Sequence, residues 1–125
     1  MKEENCLYIP TDMYYKSIWE IKCKIANGTL KINDSDFNNS ESYLELAMSG
    51  LPLPCVYAKE DRFGNMEIIK GSNIINGLLE YIENKKNVER YRARIENVRI
   101  TIFKIRYCKE NNSRIDYIEE MVNKI

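Results

Sequence analysis

Apolar residues recur at helical spacing in four stretches of the chain, and β-branched or aromatic residues cluster in four others. Residues 16–26 place Ile18, Ile21 and Ile25 on one helical face, with Trp19, Cys23 and Ala26 alongside. Asn27-Gly28 stops this run, because glycine takes the left-handed cap conformation without strain. Residues 29–32 read as a short strand, and Asn33-Asp34-Ser35-Asp36 as a polar turn. A helix over 41–49, capped by Asn39 or Ser40, buries Tyr43, Leu44, Ala47 and Met48 and ends at Gly50. Pro52 and Pro54 exclude a helix and cannot donate to a ladder, so the next strand starts near Cys55. A turn over 61–65 leads to residues 66–69, the second arm of a hairpin.

Ile74, Ile75, Leu78, Leu79 and Ile82 then form one apolar helical face. Gly77 inside this helix either weakens it, by up to about 1 kcal/mol relative to alanine, or serves close packing. Residues 85–97 suggest a charged helix and 99–107 a strand. Ser113 is the expected cap of a last helix that turns Ile115, Ile118, Met121, Val122 and Ile125 inward. Residues 1–16 show no convincing period and read as a flexible arm or an edge element. The expected fold is α+β: a single domain over residues 1–125, with a small mixed β-sheet and packed helices. The strand at 66–69 should run directly into the helix near Ser72, and the hairpin should share a sheet with 99–106. Leu44, Leu79, Ile100, Ile118 and Val122 are the expected core.

Composition narrows the chemistry. The 125 residues include no His, which excludes Ser-His-Asp and Cys-His pairs and His-ligated zinc. No stretch reaches the ~20 apolar residues of a membrane span. The first residues lack the apolar core of a secretory leader, so a cytoplasmic protein without a membrane partner is expected. Cys6, Cys23, Cys55 and Cys108 are widely spaced and form no CxxC, which points to buried thiols without disulfide or metal. Nine tyrosines, with Tyr8, Tyr14 and Tyr15 near Pro10, suit an interface, base stacking or a core equally well.

Charge balances overall, at 19 basic and 19 acidic residues, but not locally. Between Lys85 and Lys109 nine basic residues face only Glu89 and Glu96, a net +7. Its members Arg90, Arg92, Arg94, Arg99, Lys104 and Arg106 form either a phosphate-binding patch or a solvated face paired with acids of the same fold.

The segment with most chemical content is Lys70-Gly71-Ser72-Asn73, between a strand and a helix. Glycine there lets backbone approach a ligand, the helix start favours an anion, and Ser72 can donate to a phosphate. Equally, Gly71 can simply make the turn and Ser72 cap the helix.

Ser17-Ile-Trp-Glu-Ile and Ile25-Ala-Asn-Gly-Thr-Leu-Lys-Ile-Asn open a series of segments ahead of the Lys70-Gly71-Ser72-Asn73 loop. In wording and order these segments resemble the N-terminal domain of GmrS-type proteins, defence proteins marked by a DGQQR motif within the ParB/sulfiredoxin-like superfamily. Tyr43-Leu-Glu-Leu-Ala-Met-Ser-Gly-Leu-Pro-Leu-Pro is similar to the family's LIESILLGIPIPP stretch. Val56 to Ile69 resembles its hairpin, and Val98 to Ile105 with the helix from Arg114 its closing strand and helix. Where the family has DGQQR, this chain has Lys70-Gly71-Ser72-Asn73-Ile74. Where the family has an aromatic-Gln-Arg motif, it has Phe37-Asn38-Asn39. The resemblance implies that both positions contact nucleotide phosphates and support hydrolysis. Asn39 and Ile74 cannot supply the bidentate contacts of arginine.

Two functions follow from the resemblance. One is a non-catalytic ParB/GmrS-like binding domain with an eroded nucleotide site, linked to phage or mobile-element defence. It would carry no cofactor, bind nucleotide at most weakly, and take a protein or a nucleic acid as partner, with a homodimer open. The other is a divergent NTPase or nuclease using Lys70, Ser72, Asn73 and the carboxylates of Asp34 and Asp36.

Overall fold

A computed structural model describes residues 11–107 and 115–124, residues 115–118 by their backbone alone. In chain order the elements are β1 (Thr11–Ser17), α1 (Ile18–Ala26), β2 (Leu30–Lys31), α2 (Ser40–Met48), β3 (Val56–Glu60), β4 (Met66–Lys70), α3 (Ser72–Glu83), α4 (Glu89–Glu96), β5 (Arg99–Ile105) and α5 (Ile115–Asn123). The five strands form one mixed sheet in the order β1-β5-β3-β4-β2. β1 runs antiparallel to β5 and β3 antiparallel to β4, whereas β3–β5 and β2–β4 are parallel. The fold is therefore α+β, and the hairpin β3–β4 shares its sheet with β5.

Side chains alternate across the sheet. Val56, Ala58, Ile68, Ile100 and Ile102 face the main core, where they meet Ile18 and Ile21 of α1, Ile74, Ile75, Leu78 and Ile82 of α3, and Ile95 of α4. Of the other expected core residues, Leu44 and Leu79 are partly buried against this cluster. Residues of opposite parity, Tyr57 and Ile105, pack with Ile69 and Val122 of α5 in a second cluster. The side chain of Ile118 lies outside the described residues, as does the proposed cap Ser113.

Three local expectations need correction. Of the two readings of residues 1–16, the described ones follow the edge element: residues 11–17 pair along their whole length with β5, which takes residues 16 and 17 out of the helix expected over 16–26. The helix starts only at Ile18 because Ser17 and Glu20 form a reciprocal cap. Glu20 N–H donates to Ser17 Oγ at 3.2 Å, and Ser17 N–H donates to Glu20 Oε1 at 3.1 Å. Asn39 does cap α2, but through its left-handed backbone (φ 59°) rather than its side chain. Cys23 and Cys55 are free thiols and exposed, not buried: Cys23 lies on the outer face of α1 and Cys55 precedes β3. Cys6 and Cys108 lie outside the described residues. Among the described residues no helix is long and apolar enough to cross a membrane.

Gly77 resolves in favour of close packing. A Cβ on it would sit 2.8 Å from Ser40 Cβ and 3.1 Å from Ser40 O, the start of α2. Glycine thus sets the approach of α2 to α3. Gly77→Ala gains about 1 kcal/mol of helix propensity, but the overpacking costs about 1–3 kcal/mol. A net loss of stability is expected in a denaturant melt; a gain would show that α2 yields without cost.

Candidate functional site

The β4–α3 junction is built on Gly71, whose φ of 112° lies in the left-handed region. A Cβ there would meet Val56 Cγ2 at 2.7 Å. Its missing side chain therefore makes room for the core strand β3, on the protein side of the loop.

The polar groups after Gly71 point to the segment over 33–38. Ser72 is 3% exposed, and its Oγ accepts the Asn33 N–H at 3.2 Å. Asn73 Nδ2 donates to Asn38 O at 2.6 Å. Asn76, one turn on and 5% exposed, donates through Nδ2 to Asn33 O at 2.7 Å and to Asp36 O at 2.8 Å. The segment is also folded on itself: Asn33 Oδ1 accepts from the Ser35 N–H and Asp36 Oδ1 from the Asn38 N–H. These bonds hold the segment across the first turn of α3.

The structure thus brings together two of the sequence-derived positions, Phe37-Asn38-Asn39 and Gly71-Ser72-Asn73. Lys70 leaves the group, since its Nζ lies 3.4 Å from Val122 O of α5. Ile74, which follows in the first turn of α3, is 3% exposed and part of the core. Phe37 is 40% exposed and borders an open cavity of about 410 Å3. Ile25, Ile32 and Leu79 supply its apolar wall, and Asp34, Glu80 and Glu83 its acidic rim. Among the described residues no three His, Cys, Asp or Glu gather as a metal site.

The basic residues divide between two elements. On α4, Arg90 and Arg94 lie over the Tyr91 ring at 5.0 and 5.8 Å. Arg92 donates to Asn87 O and Ile82 O, and Arg94 to Met48 O, so both guanidinium groups serve the ends of other helices. On β5, Arg99 stands at one end, 3.9 Å from Glu20 and over the Tyr15 ring. Lys104 and Arg106 stand at the other end. Lys104, 8% exposed, donates to Glu60 Oε2 at 2.8 Å, lies 3.8 Å from Asp12 and sits over the Tyr14 ring. Arg106 is 3.5 Å from Asp12.

These contacts set the protonation states. The Lys104 hydrogen bond, then the Tyr107 N–H, hold the Glu60 carboxyl below its ordinary value. Burial opposes the charge on Lys104, but Glu60 and Tyr14 outweigh it and raise the pKa. The Ser17 N–H chiefly lowers Glu20.

Comparison with known proteins finds no matching family model, no matching curated protein and no matching solved structure.

Sequence reasoning missed two residues here. Asn76 carries a signal: a carboxamide beside Ile75 and Leu78 on a helix buries only if it is bonded. Glu60, at the end of a short strand, carries none; its partner Lys104 is 44 residues away.

Asn76→Ala should cost about 1–3 kcal/mol, because two carbonyls lose their donor. It should also speed hydrogen exchange at the Asp36 and Asn38 amides; unchanged exchange there would show that the segment is held by other means. Glu60→Gln should cost about 1.5–3 kcal/mol at neutral pH, where the carboxylate is charged. Because the folded-state pKa is lowered from 4.5, this stabilisation is present above that value and lost as pH falls through the folded pKa. Melts of the two proteins should therefore converge in acid. A constant gap down to about pH 2 would remove the charge from the explanation.

Proposed function

We propose that this chain is a non-catalytic binding domain of the ParB/GmrS-like kind, with a protein segment as its ligand. One observation carries the reading: Ser72, Asn73 and Asn76 are spent on the backbone over 33–38. A phosphate arriving at the start of α3 would have to displace bonds that hold the fold. The residues at the two arginine positions support it too, since Ile74 faces the core and Asn39 acts as a backbone cap. What is left for an anion is a helix start, worth about 0.3–1 kcal/mol per favourable contact.

A protein ligand is favoured over nucleic acid by the state of the basic residues. Arg99, Lys104 and Arg106 face carboxylates, and Arg92 and Arg94 face helix ends. The cavity beside Phe37 instead offers an apolar wall under an acidic rim. That combination suits a peptide carrying an apolar side chain flanked by basic residues. The link to phage or mobile-element defence rests on the family resemblance alone.

Calorimetric titration with nucleoside triphosphates and magnesium should give no dissociation constant tighter than about 1 mM, near −4 kcal/mol. Fluorescence anisotropy should likewise find no saturable binding of short DNA or RNA at physiological salt. A triphosphate bound below about 10 μM, and lost on Asn73→Ala, would overturn this reading in favour of a divergent NTPase or nuclease.

A further inference from the structure

β1 is the edge of the sheet, with β5 on one side and no described strand on the other. The junction with α1 fixes which backbone groups face outward. Ile18 N–H donates to Val98 O at 2.8 Å, in the register that pairs Ser17 with Arg99. Backbone groups alternate between the two sides of a strand. Asp12, Tyr14 and Lys16 therefore turn their N–H and C=O toward β5, while Thr11, Met13, Tyr15 and Ser17 turn theirs to the edge. Two contacts agree with this parity. Ser17 N–H reaches Glu20 Oε1, and Tyr15 O lies 3.4 Å from the Arg99 guanidinium, both away from the ladder.

The side chains along this edge are large and apolar. Met13 is 67% and Tyr15 62% exposed. They share a sheet face with Thr101 and Phe103. An edge with no described strand beyond it is a template for another strand.

We propose that β1 pairs antiparallel with β1 of a second copy, about a two-fold axis beside Tyr14, to give one continuous sheet. The proposal is independent of the function assigned above. Registers centred on any residue from Asp12 to Lys16 satisfy the outward N–H and C=O groups, but those centred on Asp12 or Lys16 set like charges opposite each other and overlap least of the strand. Centred on Tyr14, Met13 exchanges hydrogen bonds with Tyr15 of the second copy, and Asp12 falls opposite Lys16 of the second copy. The two-fold repeats each pair. Centred on Met13, Asp12 would face Tyr14; centred on Tyr15, Lys16 would face Tyr14; neither gives an ion pair, and both overlap less of the strand. The sequence Asp12-Met13-Tyr14-Tyr15-Lys16 is thus self-complementary in charge and in apolar bulk. The present partners leave room for the new ones. Asp12 stands 3.5–3.8 Å from Arg106 and Lys104, and Lys16 3.8 Å from Glu20; these contacts are long, and the Asp12 and Lys16 side chains are themselves part-exposed.

Sedimentation velocity over about 1–500 μM should show a concentration-dependent dimer. Met13→Pro removes an outward N–H without touching the bonds to β5, so the fold is kept. It should weaken the dimer at least tenfold with unchanged circular dichroism. Lys16→Glu places a carboxylate opposite Asp12 twice, and should weaken it by a similar factor. The idea is overturned by a wild-type protein still monomeric at about 500 μM, or by a dimer that both substitutions leave intact. Should Met13→Pro fail to fold, Lys16→Glu decides alone.

Discussion

Between Lys70, the last residue of β4, and Ser72, the first of α3, the chain has one residue in which to turn from extended to helical backbone. Gly71 does this at a φ of 112°, where an L side chain is strained. The same residue lies so close to Val56 that a Cβ would overlap it. Conformation and packing thus make one demand, and the result is that α3 is pressed onto the sheet from its first turn. Seven residues of α3 are buried, including Ser72 and Asn76. α1, α2 and α4 all contact α3, and Gly77 lets the start of α2 approach it closely.

A helix pressed so closely on the sheet at its N-terminus brings polar groups into the interior, where each needs a partner. Ser72 and Asn76 find theirs in the backbone over 33–38. That segment leaves β2 and must reach α2, and it has few backbone partners of its own. The two needs are met by one set of bonds. An unpaired carboxamide in place of Asn76 would carry a desolvation cost of about 1–3 kcal/mol. The clasp is therefore coupled to folding. A ligand competing for these groups would work against the stability of the fold, whereas one using the cavity wall of Ile25, Ile32 and Leu79 would not.

How much of this was legible in the sequence depended on the range of the interaction. Helical faces at 18–25 and 74–82, the hairpin, and the direct passage from β4 into α3 follow from local spacing, and the structure has them. β1 was legible only as one of two alternatives, an edge element or a flexible arm, because its alternation is weak: both faces carry tyrosine, Tyr14 on one and Tyr15 on the other. Even so, the Ser17-Ile-Trp-Glu20 cap was there to be read as a start at Ile18. In the candidate site, Gly71 was legible as a turn residue, but its reason was not. A glycine that avoids a ligand and one that avoids Val56 look alike in sequence, since Val56 is fifteen positions away. Asn76 and Glu60 act through partners about 40 residues distant, which no periodicity encodes.

The +7 between Lys85 and Lys109 shows the same dependence on range. Along the chain it looks like a single charged object. In the fold, an alternating strand and a helix send its members in different directions. Arg99 meets Glu20, while Lys104 and Arg106 meet Glu60 and Asp12 at the opposite end of β5. A seven-residue strand separates those ends by roughly 20 Å, more than two Debye lengths of about 8 Å at physiological salt. Beyond that separation exposed charges hardly add. Arg99, Lys104 and Arg106 therefore act as local pairs that tie β1 and β3 to β5 and α1 to β5, and the net charge read along the chain overstates the field these three offer a partner. Lys104 makes the case most sharply. It is the most buried of the described cations of this block, and its ammonium is held at the strand end by Glu60, with Asp12 beside it.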